Sequence, residues 1–249
     1  DLDLMKQSAA IAAKESAASG LNWTFAPMID VSRDARWGRI MEGAGEDPYL
    51  NSVIGVARIQ GFQGDDLSAT NTIAACAKHF AAYGFAEAGR DYNTVNIGDY
   101  ELHNIILPPF KAAAKAGVAT FMNSFNDLDG IPATGHKILQ RDILKQNWNW
   151  NGFVVSDWGS IGEMIAHGYA KDKNHAAEIA LNAGSDMDME SYAYEANLAK
   201  LLDENKISID DINDAVKRIL RIKFQLGLFD DPYKYCDEER EKNNVYTKE

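Results

Sequence analysis

Along this chain short apolar runs alternate with longer amphipathic ones, the pattern of parallel strands returned by crossover helices, and few architectures accept it. The runs at 22–29, 73–80, 118–125, 153–157 and 185–189 read as strands. The spacing predicts helices at 48–61, at 101–117 with a break at Pro108 and Pro109, at 137–148, at 175–183 and at 208–226. In the last of these, Ser208 and Asp211 have the spacing of a capping box, Ile212, Val216, Ile219 and Leu220 form one apolar stripe, and Gly227 is its stop. Each crossover is long enough to bring the chain back parallel, so the expected fold is α/β, a (β/α)8 barrel of the TIM type. Five strands do not close a barrel of eight, and about three strand units are therefore expected to be missing from it. The expectation places them before Asp1, where the chain opens inside a helical pattern with no initiator Met. The incomplete barrel is assigned residues 1–229; the polar, charge-rich stretch 230–249 reads as a surface-wrapping or linker segment leading towards a further domain.

Composition narrows the partners. With 46% hydrophobic and 10% aromatic residues, the 249-residue chain can bury one large core, which argues against disorder. Its 37 acidic and 25 basic residues give a net charge of -12, which repels nucleic-acid phosphate and anionic membrane surfaces, so neither is an expected partner and a neutral or small polar ligand fits better. Cys76 and Cys236 lie far apart with no CxxC spacing, which suggests neither a disulfide framework nor a metal knuckle and leaves the compartment open. No apolar run approaches the roughly 18 residues of a spanning helix. His79, His103, His136, His167 and His175 show no HxxxH or HxH spacing, and the acidic run at 186–190 lacks the glycine and distal glutamate of a calcium loop. GxGxxG, GxxxxGK[ST] and GxSxG are absent as well, so no metal and no cofactor is expected.

Three segments could carry chemistry. In FVVSDWGSI, residues 153–161, an apolar strand ends in Ser156, Asp157 and Trp158 before a glycine, and polar groups at the C-terminal ends of barrel strands point into the active site. A carboxylate there can attack an anomeric carbon, and Trp158 offers a flat face for a pyranose ring. The plainer alternative is that Asp157 caps the helix that follows. The segment 23–50 is a strand followed by a long loop holding Arg33, Arg36, Arg39, Glu42, Glu46 and Asp47, most of which read as surface ion pairs, with Arg39 exempted. In the segment 75–94, Lys78 and His79 end a strand and can hold neighbouring sugar hydroxyls; the alternative is a buried histidine satisfied by backbone and a lysine paired to an acid.

RDARWGR followed by EDPYL, then KHF, FMNSFND and VVSDW, in this order and spacing, resembles glycoside hydrolase family 3 from Asp1 to about Tyr233. The resemblance implies that Asp157 is the nucleophile that forms a glycosyl-enzyme intermediate. It also implies that Arg39, Lys78 and His79 bind hydroxyls of the sugar, that Met122 and Phe125 line the same pocket, and that Trp158 stacks at its edge. The family often has Tyr where Phe125 stands, so a hydrogen bond near the nucleophile is absent or replaced here. A family Asp that binds sugar hydroxyls lies upstream of anything in this sequence.

Retaining hydrolysis needs two carboxyl groups about 5 to 5.5 Å apart. By resemblance the acid/base of the β-glucosidases is a Glu on an α/β sandwich domain after the barrel, which this sequence does not reach. An N-acetylglucosaminidase subgroup uses a His in the loop after KHF, and the loop AAYGFAEAGRDYN has none. Asp91 in that loop is read as orienting Lys78 or His79, or else as pairing with Arg90 on the surface. Trp158 looks glucosidase-like, since family xylosidases tend to carry a smaller residue there. The implied parent is a cofactor-free, retaining exo-β-glucosidase with a bell-shaped pH profile, Asp157 ionised while its partner is protonated. A β-xylosidase, a glycoside phosphorylase or transglycosidase, and a non-catalytic carbohydrate-binding barrel are the alternatives. The resemblance favours a periplasmic or secreted location, and an isolated chain of this extent is expected to be nearly inactive.

Overall fold

In the computed structural model, which describes residues 1–247, the apolar runs form a parallel sheet with helices packed on it. In chain order the elements are α1 (Leu2–Ala18), α2 (Pro48–Gln63), β1 (Cys76–Phe80), α3 (Asp99–Glu101), α4 (Leu107–Lys115), β2 (Thr120–Asn123), β3 (Asp127–Leu128), β4 (Ile131–Pro132), β5 (Phe153–Val155), α5 (Ser160–Glu163), α6 (Lys173–Ala183), α7 (Ala193–Asp203), α8 (Ile209–Gln225) and α9 (Glu238–Asn244). The segments Leu102–Ile106 and Ile138–Asn147 are wound as wide π turns. The first of these falls just before Pro108 and Pro109, whose rings cannot follow an ordinary helical turn.

The regular sheet has the order β1-β2-β5, all parallel, with Cys76 opposite Thr120 and Thr120 opposite Phe153. The five expected strands are thus three regular ones, and the outer two runs are joined to them by isolated parallel bridges, Trp23 with Ala74, Met28 with Lys78 and Val155 with Met187. The reason is local. Pro27 has no N–H to donate to a ladder, and on the other side the carboxylate of Asp186, rather than a backbone carbonyl, accepts the Val154 N–H at 2.8 Å. β3 and β4 make a small antiparallel hairpin.

Period-two alternation buries both faces of the sheet, as parallel sheets require. On one face Ala75, Ala77, Phe80, Phe121 and Val154 pack against Ile59, Phe110 and Leu139 of the surrounding helical segments and Trp150 of the loop before β5. On the other, Cys76, Met122, Phe153 and Val155 pack with Ile222 and Leu226 of α8. Burying each large side chain fully contributes about 1.5–3 kcal/mol. The α8 capping box forms, with Ser208 Oγ accepting the Asp211 N–H at 3.1 Å and Asp211 Oδ2 accepting the Ser208 N–H at 3.3 Å.

α7 and α9 have no counterpart in the sequence reading. α7 starts without a side-chain cap. In the segment after residue 229, Tyr235 is buried, Cys236 pairs with Ser19, and the Arg240 guanidinium donates to the Tyr235 carbonyl at 2.7 Å, so the chain folds back along α1.

Candidate active site

The C-terminal ends of β1, β2 and β5 bring the candidate side chains together. Asp157 follows β5 by two residues, and the turn that holds it is pinned from several sides. Ser156 Oγ donates to the Asp157 carbonyl at 3.0 Å and accepts the Met189 N–H at 2.8 Å. Gly159, at φ 70°, a left-handed conformation that suits glycine, donates to the Met189 carbonyl at 2.8 Å. The helix α5 begins at Gly159 without a side-chain cap, so the capping alternative for Asp157 does not hold. Asp157 Oδ1 instead accepts the N–H of the adjacent Trp158 at 2.7 Å.

That leaves Oδ2. It is buried, has no hydrogen-bond partner among the described residues, and lies 3.5 Å from Nε2 of the fully buried His79, which also has none. The other side of His79 is fixed, because Asp30 Oδ2 stands 2.9 Å from Nδ1 and accepts the His79 backbone N–H at 2.9 Å. The carboxylate favours a proton on Nδ1, which turns Nε2 towards the site. Sequence reading missed Asp30, although it ends the run 22–29 just as Lys78 and His79 end theirs.

Arg39 and Lys78 lie beside this line with small side-chain exposures, 23% and 16%. Arg39 makes a two-pronged bond to Glu42, Nε to Oε1 at 2.6 Å and Nη2 to Oε2 at 3.0 Å, and its guanidinium lies 5.6 Å from the centre of the Tyr83 ring. Burial works against the charge on Arg39, but Glu42 and Tyr83 hold its proton affinity above the ordinary arginine value. The bond from Arg39 in turn lowers the pKa of Glu42 despite partial burial. Tyr83, missed in the sequence, is a wall of the site, in edge-on contact with Trp37 and His79. Burial first, then Asp91, raises its hydroxyl far above the tyrosine range.

Phe125 is buried against Tyr83 and Tyr92, with ring centres 5.9 and 4.4 Å away. Met122 belongs to the sheet interior beneath the strand ends, among Cys76, Val155 and Met187. Trp158 is 64% exposed at the rim. Asp91 is a correction. Among the described residues it accepts from the Trp37 indole at 3.0 Å and bonds neither to Lys78 or His79 nor to Arg90. The position next to His79 is already filled by Asp30, and Asp91 instead fixes Trp37 against Tyr83. Of the loop charges read as surface ion pairs, Arg33 joins Glu101 and Arg36 joins Asp34, whereas Asp47 caps α2, and Arg39, exempted from that reading, pairs with Glu42. No group of three or more His, Cys, Asp or Glu side chains among the described residues could hold a metal ion, and no helix among them is long and apolar enough to cross a membrane.

A model of the glycosyl hydrolase family 3 N-terminal domain matches residues 1–222. The chain belongs to glycoside hydrolase family 3. It is 42% identical over 235 residues to a periplasmic β-glucosidase of Salmonella typhimurium, an alignment covering 94% of this chain and 31% of that protein. It is 37% identical over 249 residues to a β-xylosidase of Formosa agariphila, covering 95% and 34%. The crystal structure of a β-glucosidase from Listeria innocua superposes with a TM-score of 0.97 and 43% identity over 99% of this chain and 34% of that one. The family 3 chain therefore spans about a third of the length of these relatives.

Within the family 3 chain, Glu163 of α5 stands out electrostatically. Burial and then the charge of Asp157 push its pKa above the ordinary glutamate value. Around it, clefts of ≈ 400 Å³ beside Tyr92 and His167 and ≈ 520 Å³ beside Trp158 and Glu190 open on the same side as the Asp157 turn. A further cleft of ≈ 480 Å³, lined by Gln63, Gly117, Trp150 and Arg221, lies at the opposite, N-terminal ends of β2 and β5.

Proposed function

We propose that the parent protein is a retaining exo-β-glucosidase that removes terminal non-reducing β-D-glucosyl residues, with Asp157 as the nucleophile. The observation that carries this reading is the Asp157 carboxylate, buried at the end of a strand with one oxygen unpartnered and facing His79. A buried charged oxygen without a partner is costly to fold and so marks a group kept for chemistry. Arg39 and Lys78 are the donors around it that would hold the sugar hydroxyls, Nε2 of His79 would accept from one of them, Phe125 closes the pocket above Met122, and Trp158 carries the ring at the rim. The tight turn at Gly159 and the fixed Ser156 give the attacking oxygen the small positional freedom that covalent catalysis needs.

Asp157 would form the glycosyl ester, and a glutamate from a further domain would protonate the leaving oxygen and then activate water. In the complete protein the parallel sheet would close as a (β/α)8 barrel through strand units outside this sequence. A periplasmic location accords with the name of the Salmonella typhimurium relative. The large indole at position 158 favours a glucosidase over the β-xylosidase that a relative of similar identity represents. A phosphorylase, a transglycosidase and a carbohydrate-binding barrel without catalysis remain the outcomes that kinetics would reveal.

The test is mass spectrometry of the intact parent after incubation with a 2-deoxy-2-fluoro β-glucoside, followed by peptide mapping. The expected result is one fluoroglucosyl adduct on Asp157. Labelling at another residue, or hydrolysis with inversion of the anomeric centre, overturns it.

A further inference from the structure

Glu42 sits where two cations meet. One of its oxygens, Oε2, accepts from Arg39 Nη2 at 3.0 Å and lies 3.9 Å from Lys78 Nζ, while Oε1 takes Arg39 Nε at 2.6 Å. The second distance is too long for a hydrogen bond, so Glu42 offsets the charge of Lys78 without consuming its protons. The two-pronged bond occupies one edge of the guanidinium and leaves Nη1 with no hydrogen bond among the described residues. The plane of that guanidinium is set on its other side by the Tyr83 ring, 5.6 Å away. Without Glu42, Arg39 and Lys78 would repel one another, and a long side chain with many rotamers would keep only the Tyr83 ring to set its rotation.

From this geometry we infer that Glu42 is a positioning residue, acting through Arg39 and Lys78, that holds their free N–H groups in the orientation needed by the hydroxyls of the bound glucosyl unit. The inference rests on the β-glucosidase reading. Glu42 does not touch the reacting atoms. It acts by pre-organising donors, whose value lies in not having to reorganise when the sugar arrives. The short helical turn Ile40–Glu42 places Glu42 three residues from Arg39, on one side of a single turn, so the pairing is local and survives whatever the outer loop does. Its side chain is 38% exposed, which makes it replaceable without opening the core.

The experiment is a double-mutant cycle in the full-length parent, with E42A, E42Q, R39A and E42A/R39A assayed on an aryl β-glucoside. E42A is expected to lower kcat/KM by roughly 10- to 100-fold, the scale of losing a supporting partner of a functional group. E42Q, which still accepts from Arg39 but carries no charge, is expected to fall between E42A and the unmodified protein. In the R39A background, E42A should cost several-fold less than it does in the unmodified protein, since only the part of its action that runs through Lys78 is left. The E42A protein should melt within about 2 °C of the unmodified one, as for an exposed pair. A loss in E42A of under about threefold, or full multiplication of the E42A and R39A losses, overturns the positioning role while leaving the β-glucosidase reading intact. A parent that cleaves no β-glucoside overturns both.

Discussion

Nε2 of His79 stands 3.5 Å from Oδ2 of Asp157, and both atoms are buried without a hydrogen-bond partner among the described residues. Two such groups side by side are a liability to the fold, because each has lost water and gained nothing. They become an asset when hydroxyls arrive that can donate to them, since a carboxylate oxygen and an imidazole nitrogen without a proton are both acceptors. The arrangement is an incomplete hydrogen-bond chain, with its fixed end at Asp30 and its open end at Asp157.

Replacing Asp157 by Asn removes the proposed nucleophile and the unpartnered carboxylate together. The D157N parent is expected to lose about 10³-fold or more in kcat, while melting at the same temperature as the unmodified protein or above it. Activity on an aryl β-glucoside and a thermal melt check the two halves. Retention of a tenth of the rate would rule out Asp157 as the attacking group.

Asp30 should behave in the opposite sense. Its Oδ2 serves both the backbone N–H and the ring of His79, and the residue is 1% exposed. D30A strips the acceptor from two buried donors, an expected loss of about 2–4 kcal/mol in stability. It also frees the imidazole to turn and change tautomer. Assayed below its melting range, D30A should therefore show a kcat reduced by about tenfold or more. Unfolding and turnover measured on one preparation separate the effects, and a fully active D30A would show that the orientation of His79 is immaterial.

The buried pair Lys145 and Asp186 supports the same end of β5 from below. Lys145 Nζ donates to Asp186 Oδ1 and to the Gly184 carbonyl, each at 2.7 Å, and Asp186 Oδ2 holds the Val154 N–H. Burial outweighs the attraction of Asp186 and pulls the Lys145 pKa down from 10.5 to about 8, and burial likewise pushes Asp186 up. K145M leaves a buried carboxylate without its cation, at an expected cost of about 3–5 kcal/mol. The sign for the lysine is that of a base with a depressed value. Its burial costs stability at pH below 8, and that cost is relieved as pH rises from about 8 towards 10.5, so K145M should compare worst with the unmodified protein at the alkaline end. Melting curves at pH 7 and pH 10 test this; a gap that narrows on going alkaline contradicts it.

Much of this was legible in residues, and the misses have physical causes. Parallel strands buried on both faces leave near-continuous apolar runs, which is why β1, β2 and β5 were found at 73–80, 118–125 and 153–157. The outer runs were over-read because a proline at 27 and a side-chain substitute at Asp186 break the ladder without breaking the apolar pattern. Asp157, Lys78 and His79 were visible as polar residues ending apolar runs. Asp30 carries the same signal and was passed over. Tyr83 and Glu42 were not recoverable in this way, since an aromatic residue in a loop and a glutamate three residues from an arginine are common, and only the folded chain sets them against Arg39. Asp91 was given the wrong neighbour because sequence proximity to the KHF strand does not reveal that the loop turns back onto Trp37.

Glu163 gives a pH test of the electrostatic link to the nucleophile. Its pKa is raised above the ordinary value of 4.5, by burial first and by the Asp157 charge second. A carboxyl that binds its proton more tightly when folded favours the folded state while protonated, and loses that advantage as pH rises from its unfolded value through its folded one. E163Q, which cannot ionise, escapes the loss. The melting temperature of E163Q should therefore gain on that of the unmodified protein as pH rises above 4.5 through the folded value of Glu163, and hold a constant lead beyond it. In a D157N background the second cause is gone, so the lead should shrink, and its remainder measures burial alone. A lead unchanged by D157N would mean that Glu163 does not sense the charge on the nucleophile.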